Sequence, residues 1–325
     1  MYIGFGLLLS VVTAWSLVRC NLDNHNEAGR WIAECLNLKS QAIDSKSPKL
    51  VLLAGSNALF GYSARVLSEE YAVTTVNASV HAGLELNYIL HYGRKHFKRG
   101  RIFILPLEYQ LYGKQSFGEA FCNYVLGYDS SYFRGLSFTQ QVKIASAMSM
   151  ESRADILRAA ILRKDEKTKN GYQSETLNAW GDETNNEERT RNLATVERVK
   201  SKARPKFYID ETSWNQLEVF IQDANKCGCQ VVMAYPNIYA GALDIELNRD
   251  FFSELNVRFL KLGVPVLGTP AENAFSEEFI FDTTYHQTTA GQHSSTERLF
   301  WALKAKLGSN LLQTSKPKDL RQDSK

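Results

Sequence analysis

Little in the sequence places it in a specialised class. Only 5 of its 325 residues are cysteine. That is too few for a disulfide scaffold, and the odd count leaves the redox compartment open. Charge of one sign is not in excess, since 38 Lys and Arg face 35 Asp and Glu for a net +3. This balance lacks the basic footprint of a nucleic-acid binder, so we expect no DNA or RNA partner. Mean hydropathy is −0.29, which argues against a many-span membrane protein. No internal repeat is visible. Gly55-Ser56-Asn57-Ala58-Leu59-Phe60-Gly61 is neither Gly-x-Gly-x-x-Gly nor a Gly-Lys-Ser/Thr loop, which weighs against a nucleotide site. His81, His91 and His96 do not form His-Glu-x-x-His, and Cys227-Gly228-Cys229 is too isolated for zinc. We expect no metal and no cofactor. His91 and His96 read as a solvated helix face, and Cys229 as core.

What is present is enough apolar material for a sizeable core. Hydrophobic residues make up 44 %, which excludes a chain disordered throughout. One long uncharged run stands out, residues 2–18 (YIGFGLLLSVVTAWSLV), closed by Arg19. A bilayer-spanning helix needs roughly 20 apolar residues, with a range of about 17 to 25. We take residues 1–19 as a membrane anchor; a cleaved signal and a buried core helix are the alternatives. Arg19, Arg30 and Lys39 follow the run and nothing basic precedes it. By the positive-inside rule this keeps the following chain cytoplasmic, and a basic leader would reverse the orientation.

Residues 20–49 form a lead-in with one amphipathic helix at 28–38. From there apolar strands alternate with helical patterns. Strands are expected at 50–55, 73–77 and 101–107, with helices at 63–71 and 84–97 between them. The alternation resumes with a helix at 213–225, a strand at 230–236, a helix at 248–262, a strand at 264–267 and a closing helix at 289–307. Such alternation predicts an α/β fold, a parallel sheet with helices on both faces. Residues 50–312 are expected to be one domain. A long insertion at about 113–206 interrupts it, helical at 141–162 and polar at 164–202. It is too long for a plain connection, so it is a subdomain, a lid or a partner surface. The polar stretch reads as a solvated lid or linker, with Trp180 docking it. Residues 313–325 read as a disordered tail.

In an open parallel sheet, ligands bind beyond the carboxyl ends of the strands. The residues there are Gly55-Ser56-Asn57, then Asn77 through Gly83, then Pro106-Leu107-Glu108-Tyr109, and later Tyr235-Pro236-Asn237. Phe281-Asp282-Thr283-Thr284-Tyr285-His286 stands before the closing helix. A serine hydrolase needs a hydroxyl on a sharp turn, a histidine base and a carboxylate that fixes the imidazole. It also needs N–H donors for the developing oxyanion. Ser56, His286 and Asp282 are the candidate catalytic residues, and Gly83 a candidate donor. The blander readings are a helix-capping Ser56, a surface His286, a turn Asp282 and a helix-start Gly83.

These residues resemble the SGNH (GDSL-like) hydrolase family. Gly55-Ser56-Asn57, the run from Asn77 to Gly83 and the C-terminal Asp282…His286 pair carry the resemblance. The nearest group is the membrane-anchored bacterial one related to polysaccharide O-acetylation and D-alanyl transfer. There too the His loop reads Asp-Thr-x-Tyr-His, followed by residues like Gly291 and Arg298-Leu299. The resemblance covers roughly residues 50–112 and 207–307. It implies a three-layer, flavodoxin-like sheet with a helical insertion and an N-terminal hydrophobic helix. It implies Ser56 as nucleophile, His286 as base, Asp282 as orienter, and the Ser56 and Gly83 N–H groups as oxyanion donors. Typical members place Asp three residues before His; here the separation is four. Typical members also carry an oxyanion Asn after the third strand, where this chain has Leu107-Glu108-Tyr109. A carboxylate cannot donate there unless protonated. Either Asn57 or Tyr109 serves as the donor instead, or hydrolytic power is reduced, with Asn77 and Glu108 either at the substrate or structural. The implied chemistry is acyl transfer through a Ser56 ester. The substrate is an O-acyl ester of a cell-envelope glycan or lipid, handled outside the cytoplasm, with a membrane-bound acyltransferase as partner. The alternative is a catalytically weak protein of this kind that binds a membrane partner or a polysaccharide.

Overall fold

The computed structural model describes Leu22, His25 and residues 27–147 and 173–308. The apolar run at 2–18, the second part of the expected 141–162 helix and the 313–325 tail lie outside the described residues. Among the described residues no helix is long and apolar enough to cross a membrane.

Five short strands form one parallel sheet: β1 (Leu50–Leu52), β2 (Thr75–Asn77), β3 (Ile102–Leu105), β4 (Gln230–Ala234) and β6 (Val266–Leu267). Their order is β2-β1-β3-β4-β6, all parallel. Nearly every strand residue is buried, as expected where helices cover both faces of a sheet. The chain moves outward from β1 to β2, then back past β1 to β3. Right-handed crossovers therefore place their helices on opposite faces. On one face α2 (Ser56–Gly61) and α3 (Ala64–Glu69) pack on the closing helix α11 (Thr289–Leu307). Elsewhere α4 (Glu85–Arg94) packs on α9 (Glu211–Lys226), and α9 lies on β4. The reversal leaves a crevice at the carboxyl ends of β1 and β3. Ser56 follows the first of these strands and Glu108 the second.

The lead-in helix is longer than its sequence pattern indicated. α1 runs Glu27–Lys46 and packs on β2 and on α5 (Glu119–Tyr128) of the insertion. The insertion continues through α6 (Ser130–Gly135), α7 (Phe138–Ala147) and α8 (Leu193–Lys200). The remaining elements are α10 (Arg249–Lys261) and a small parallel pair, β5 (Ile238–Tyr239) with β7 (Ala274–Phe275). This pair was not expected, because each strand has only two residues and shows no period.

The polar stretch from 173 to 202 differs from the expected solvated linker. It is a strap docked on the domain. Trp180 O accepts the Asn77 N–H at 2.9 Å, so the strap pairs with the free side of β2. Asp182 is buried and caps α3, accepting from Ala64 N at 2.7 Å, Arg65 N at 2.9 Å and Ser63 Oγ at 3.1 Å. Gly181 has φ +82° and an added Cβ would lie 2.4 Å from Asn77 O, so only glycine lets the backbones meet. Further on, Asn186 holds the start of α11 through Gln287 O and the Thr289 N–H. Trp180 does dock the segment, with Lys46 Nζ 3.7 Å from its ring. Composition misled because Asn, Asp and Glu here satisfy backbone groups rather than water.

His96 also departs from expectation. It is buried, with its ring edge-on to Tyr92, and only His91 keeps partial exposure. Cys229 is core, as expected.

Lys39 locks the strap from below. It is fully buried and donates to Asn77 O at 2.8 Å and to Gly181 O. Burial pulls its pKa down to about 8. The unfolded lysine holds its proton to about pH 10.5, so the unfolded chain binds more protons between those values. Stability therefore rises with pH in that window. Urea unfolding of wild type and Lys39→Met at pH 7 and pH 9.5 should show wild type gaining about 2 kcal/mol relative to the variant. A difference that does not change with pH would refute a buried charged amine.

Candidate active site

Ser56 opens α2 directly after β1 and Gly55. Gly55 is the N-cap residue and has no side chain to cap with. Ser56 does not cap either, and among the described residues its hydroxyl makes no hydrogen bond. Glu108, from the end of β3, does the capping. Its carboxylate accepts the Gly55 N–H at 3.1 Å and the Asn57 N–H at 2.8 Å. These amides flank the serine on both sides. The Ser56 N–H between them, a first-turn helix donor, is left without a partner among the described residues. A Cβ on Gly55 would lie 2.5 Å from Glu108 Oε1 and 2.6 Å from the Ala82 backbone, so the turn requires glycine.

Asp282 and His286 meet at the other wall. His286 Nδ1 lies 2.6 Å from Asp282 Oδ1. The four-residue separation works because the segment is a loop closed on itself rather than a helix. Ile280 bridges Gln287, Phe281 N donates to His286 O at 2.9 Å, and Thr283 Oγ1 accepts the His286 N–H at 3.1 Å. A second tie runs from Tyr239 N to Thr284 O at 2.8 Å. With Nδ1 turned to the carboxylate, Nε2 is the ring nitrogen on the side away from Asp282.

The two walls are joined by Phe60. Its ring stacks on the His286 imidazole with centroids 4.1 Å apart and planes 10° from parallel. Phe60 is one helical turn after Ser56, and residues four apart share a helix face. The imidazole is thus laid against the face of α2 that carries the hydroxyl. His286 is buried, while the Asp282 side chain is 27 % exposed.

Glu108 is fully buried, and burial raises its pKa. The two N–H donors and the His286 ring oppose that rise. His81 stands near as well. Burial first, and His286 second, lower its pKa to about 4, which leaves it neutral at pH 7.

Of the remaining expected donors, Gly83 and Asn57 are committed elsewhere, and Tyr109 stands among aromatic rings. Gly83 N donates to His81 Nδ1 at 3.0 Å. Asn57 is buried, and its Nδ2 donates to Pro106 O at 2.7 Å. Tyr109 is buried with its hydroxyl unpaired among the described residues, its ring among Phe207, Phe251 and Phe252. Asn77 bonds across loops, from Nδ2 to Ala58 O at 2.8 Å and to Tyr62 O at 3.2 Å. It therefore fixes the floor of the crevice. The structure brings Ser56, Glu108, Asp282 and His286 to one edge, and Asn57 and Asn77 serve as its scaffold.

Sequence reasoning missed three contributors. Phe60 was legible only as the position four after Ser56, once a helix was placed there. His81 lay inside the run quoted for the second strand but was weighed only as a metal ligand. The third is α8. Val196 and Val199 form a small separate apolar cluster with Phe275 and Ile280, at the stem of the His loop. The strap also walls a cleft of about 440 Å³ beside Asp282 and Phe60, through residues such as Asn185, Asn192 and Arg198.

No protein-family model matches the chain, and neither does any curated protein.

Proposed function

We propose that the protein is a serine-dependent acyl-transfer enzyme of SGNH type, acting on O-acyl esters. The observation that carries this reading is the Asp282–His286 pair at 2.6 Å, with its imidazole stacked on the helix that Ser56 opens. In this reading His286 Nε2 takes the Ser56 proton as Oγ attacks the ester carbonyl. Asp282 holds the ring and stabilises the imidazolium. The open Ser56 N–H receives the oxyanion. The alkoxide leaves with the proton from His286, giving a Ser56 acyl ester. Water or a glycan hydroxyl then takes the acyl group. The strand order is also that of flavodoxin-like sheets, which agrees with the proposed family. The apolar run at 2–18, taken as an anchor, would hold the domain at a membrane, and outside the cytoplasm in the orientation that a basic leader sets. There it would act on envelope glycan or lipid with a membrane-bound acyltransferase.

The direct test is labelling of the purified protein by a fluorescent fluorophosphonate, together with turnover of p-nitrophenyl acetate. The reading expects both. Failure of both would remove it and leave the second reading, a binding protein of the same fold. One observation favours that second reading. The Gly83 N–H is engaged by His81, so the oxyanion site has fewer free donors than a strong esterase needs.

A further inference from the structure

A second cleft, of about 460 Å³, lies on the other side of the His loop, against Thr284 and Tyr285. Its far wall is Lys202, where the strap ends, and the segment that follows it to Tyr208. The strap and its continuation therefore wall both clefts, so a ligand longer than one unit has a path along them past the loop.

The lining of this second cleft has one character. Lys114, Lys202 and Lys206 line it and are exposed. None of the three forms an ion pair among the described residues, and no Asp or Glu lines the cleft. Arg204, between two of them, is committed to structure through Gly241 O at 3.2 Å and Asp244 at 3.6 Å. The same cleft is lined by the rings of Tyr109, Tyr208 and Tyr285. Tyr208 is 58 % exposed, yet its hydroxyl is held by the Lys114 N–H at 3.3 Å, so the ring is presented rather than tucked away. Tyr109 brings a buried hydroxyl that is unpaired among the described residues. Unpaired ammonium groups fit carboxylates, and fixed tyrosine rings offer an apolar face with a polar edge. A pyranose with a carboxylate has both partners, an apolar C–H face and a charge. The whole chain is close to neutral at +3, so the concentration of free cations here is local.

We propose that this cleft is a subsite for an acidic, carboxylate-bearing saccharide chain, with the three lysines selecting its charge and Tyr208 its ring. The proposal names a substrate class for the acyl-transfer reading and rests on that reading for the reaction, while the binding is measured separately.

The test uses the full chain carrying Ser56→Ala, so that nothing turns over. The probes are a fluorescent oligogalacturonate, a neutral maltooligosaccharide of equal length, inorganic polyphosphate and a single-stranded oligonucleotide. Oligogalacturonate should bind at least about tenfold tighter than the neutral sugar, and more weakly as salt rises. Adding Lys114→Gln, Lys202→Gln and Lys206→Gln together should bring its affinity down to the neutral level. Tyr208→Ala should weaken oligogalacturonate but not polyphosphate. These side chains are exposed, so unchanged thermal unfolding checks the fold. Equal binding by the triple variant would overturn the proposal, as would failure of every anion to bind. Equal or tighter binding of polyphosphate or the oligonucleotide would also overturn it, in favour of a phosphate-polymer site. Absent fluorophosphonate labelling of the wild-type chain, with intact oligogalacturonate binding, removes the enzyme and keeps the subsite. The converse result does the reverse.

Discussion

Ser56→Ala will abolish fluorophosphonate labelling and lower p-nitrophenyl acetate turnover by about 10³-fold or more. The size follows from the role. Without Oγ there is no acyl-enzyme, and only binding and the oxyanion donor remain to help water attack. The fold will not be the cause of the loss. The Ser56 hydroxyl bonds to nothing among the described residues, and the cap of α2 belongs to Glu108. Thermal unfolding of the variant should therefore match wild type. His286→Ala should lose as much, and the double variant little more than either, because residues that act as a unit are not additive. Asp282→Ala should cost less than either. Its carboxylate is partly exposed, and Phe60 stacking and the Thr283 bond still hold the imidazole loop. Turnover that survives in Ser56→Ala would remove the nucleophile from the mechanism.

The fold was legible wherever a strand was buried on both faces. Leu50 to Leu53 and Ile102 to Leu105 are uninterrupted apolar runs, and uninterrupted apolar runs mark parallel strands. Their alternation with helices predicted the sheet, and the Gly-Ser turn marks the edge where the candidate site lies. Ser56, Asp282 and His286 could be chosen because chemistry restricts which residue types do that work. Their supports were not legible, for the opposite reason. Any apolar ring could stack on His286, and any acceptor could cap α2. That Phe60 and Glu108 do so depends on contacts between residues far apart in the chain. The strap failed for a related reason. Asp182, Glu183 and Asn186 look solvated in composition and are buried in fact, because their partners are backbone amides and carbonyls.

Glu108 is where the site departs most from its expected pattern, and its removal should have the second largest effect. The carboxylate holds the amides on both sides of Ser56, at 3.1 and 2.8 Å, in a fully buried place. Glu108→Ala leaves two buried N–H groups unpaired at once. A lost acceptor of this kind costs about 1–3 kcal/mol for each donor left behind. Urea unfolding should therefore show a loss of about 2–5 kcal/mol. Glu108→Gln keeps one carbonyl oxygen but turns an NH₂ group toward a backbone N–H, so it should lose roughly half as much. Both variants free the turn that presents the serine. The fluorophosphonate labelling rate should fall in the same order, even at temperatures where each variant is fully folded. The glutamine result separates two roles for Glu108. As a brace, it makes activity follow the number of amides held, with wild type best. As a misplaced charge beside the developing oxyanion, it would make Glu108→Gln faster than wild type despite lower stability. Two bonds of ordinary length to the turn itself, and a glycine opposite with no room for a Cβ, favour the brace. A faster glutamine variant would overturn it.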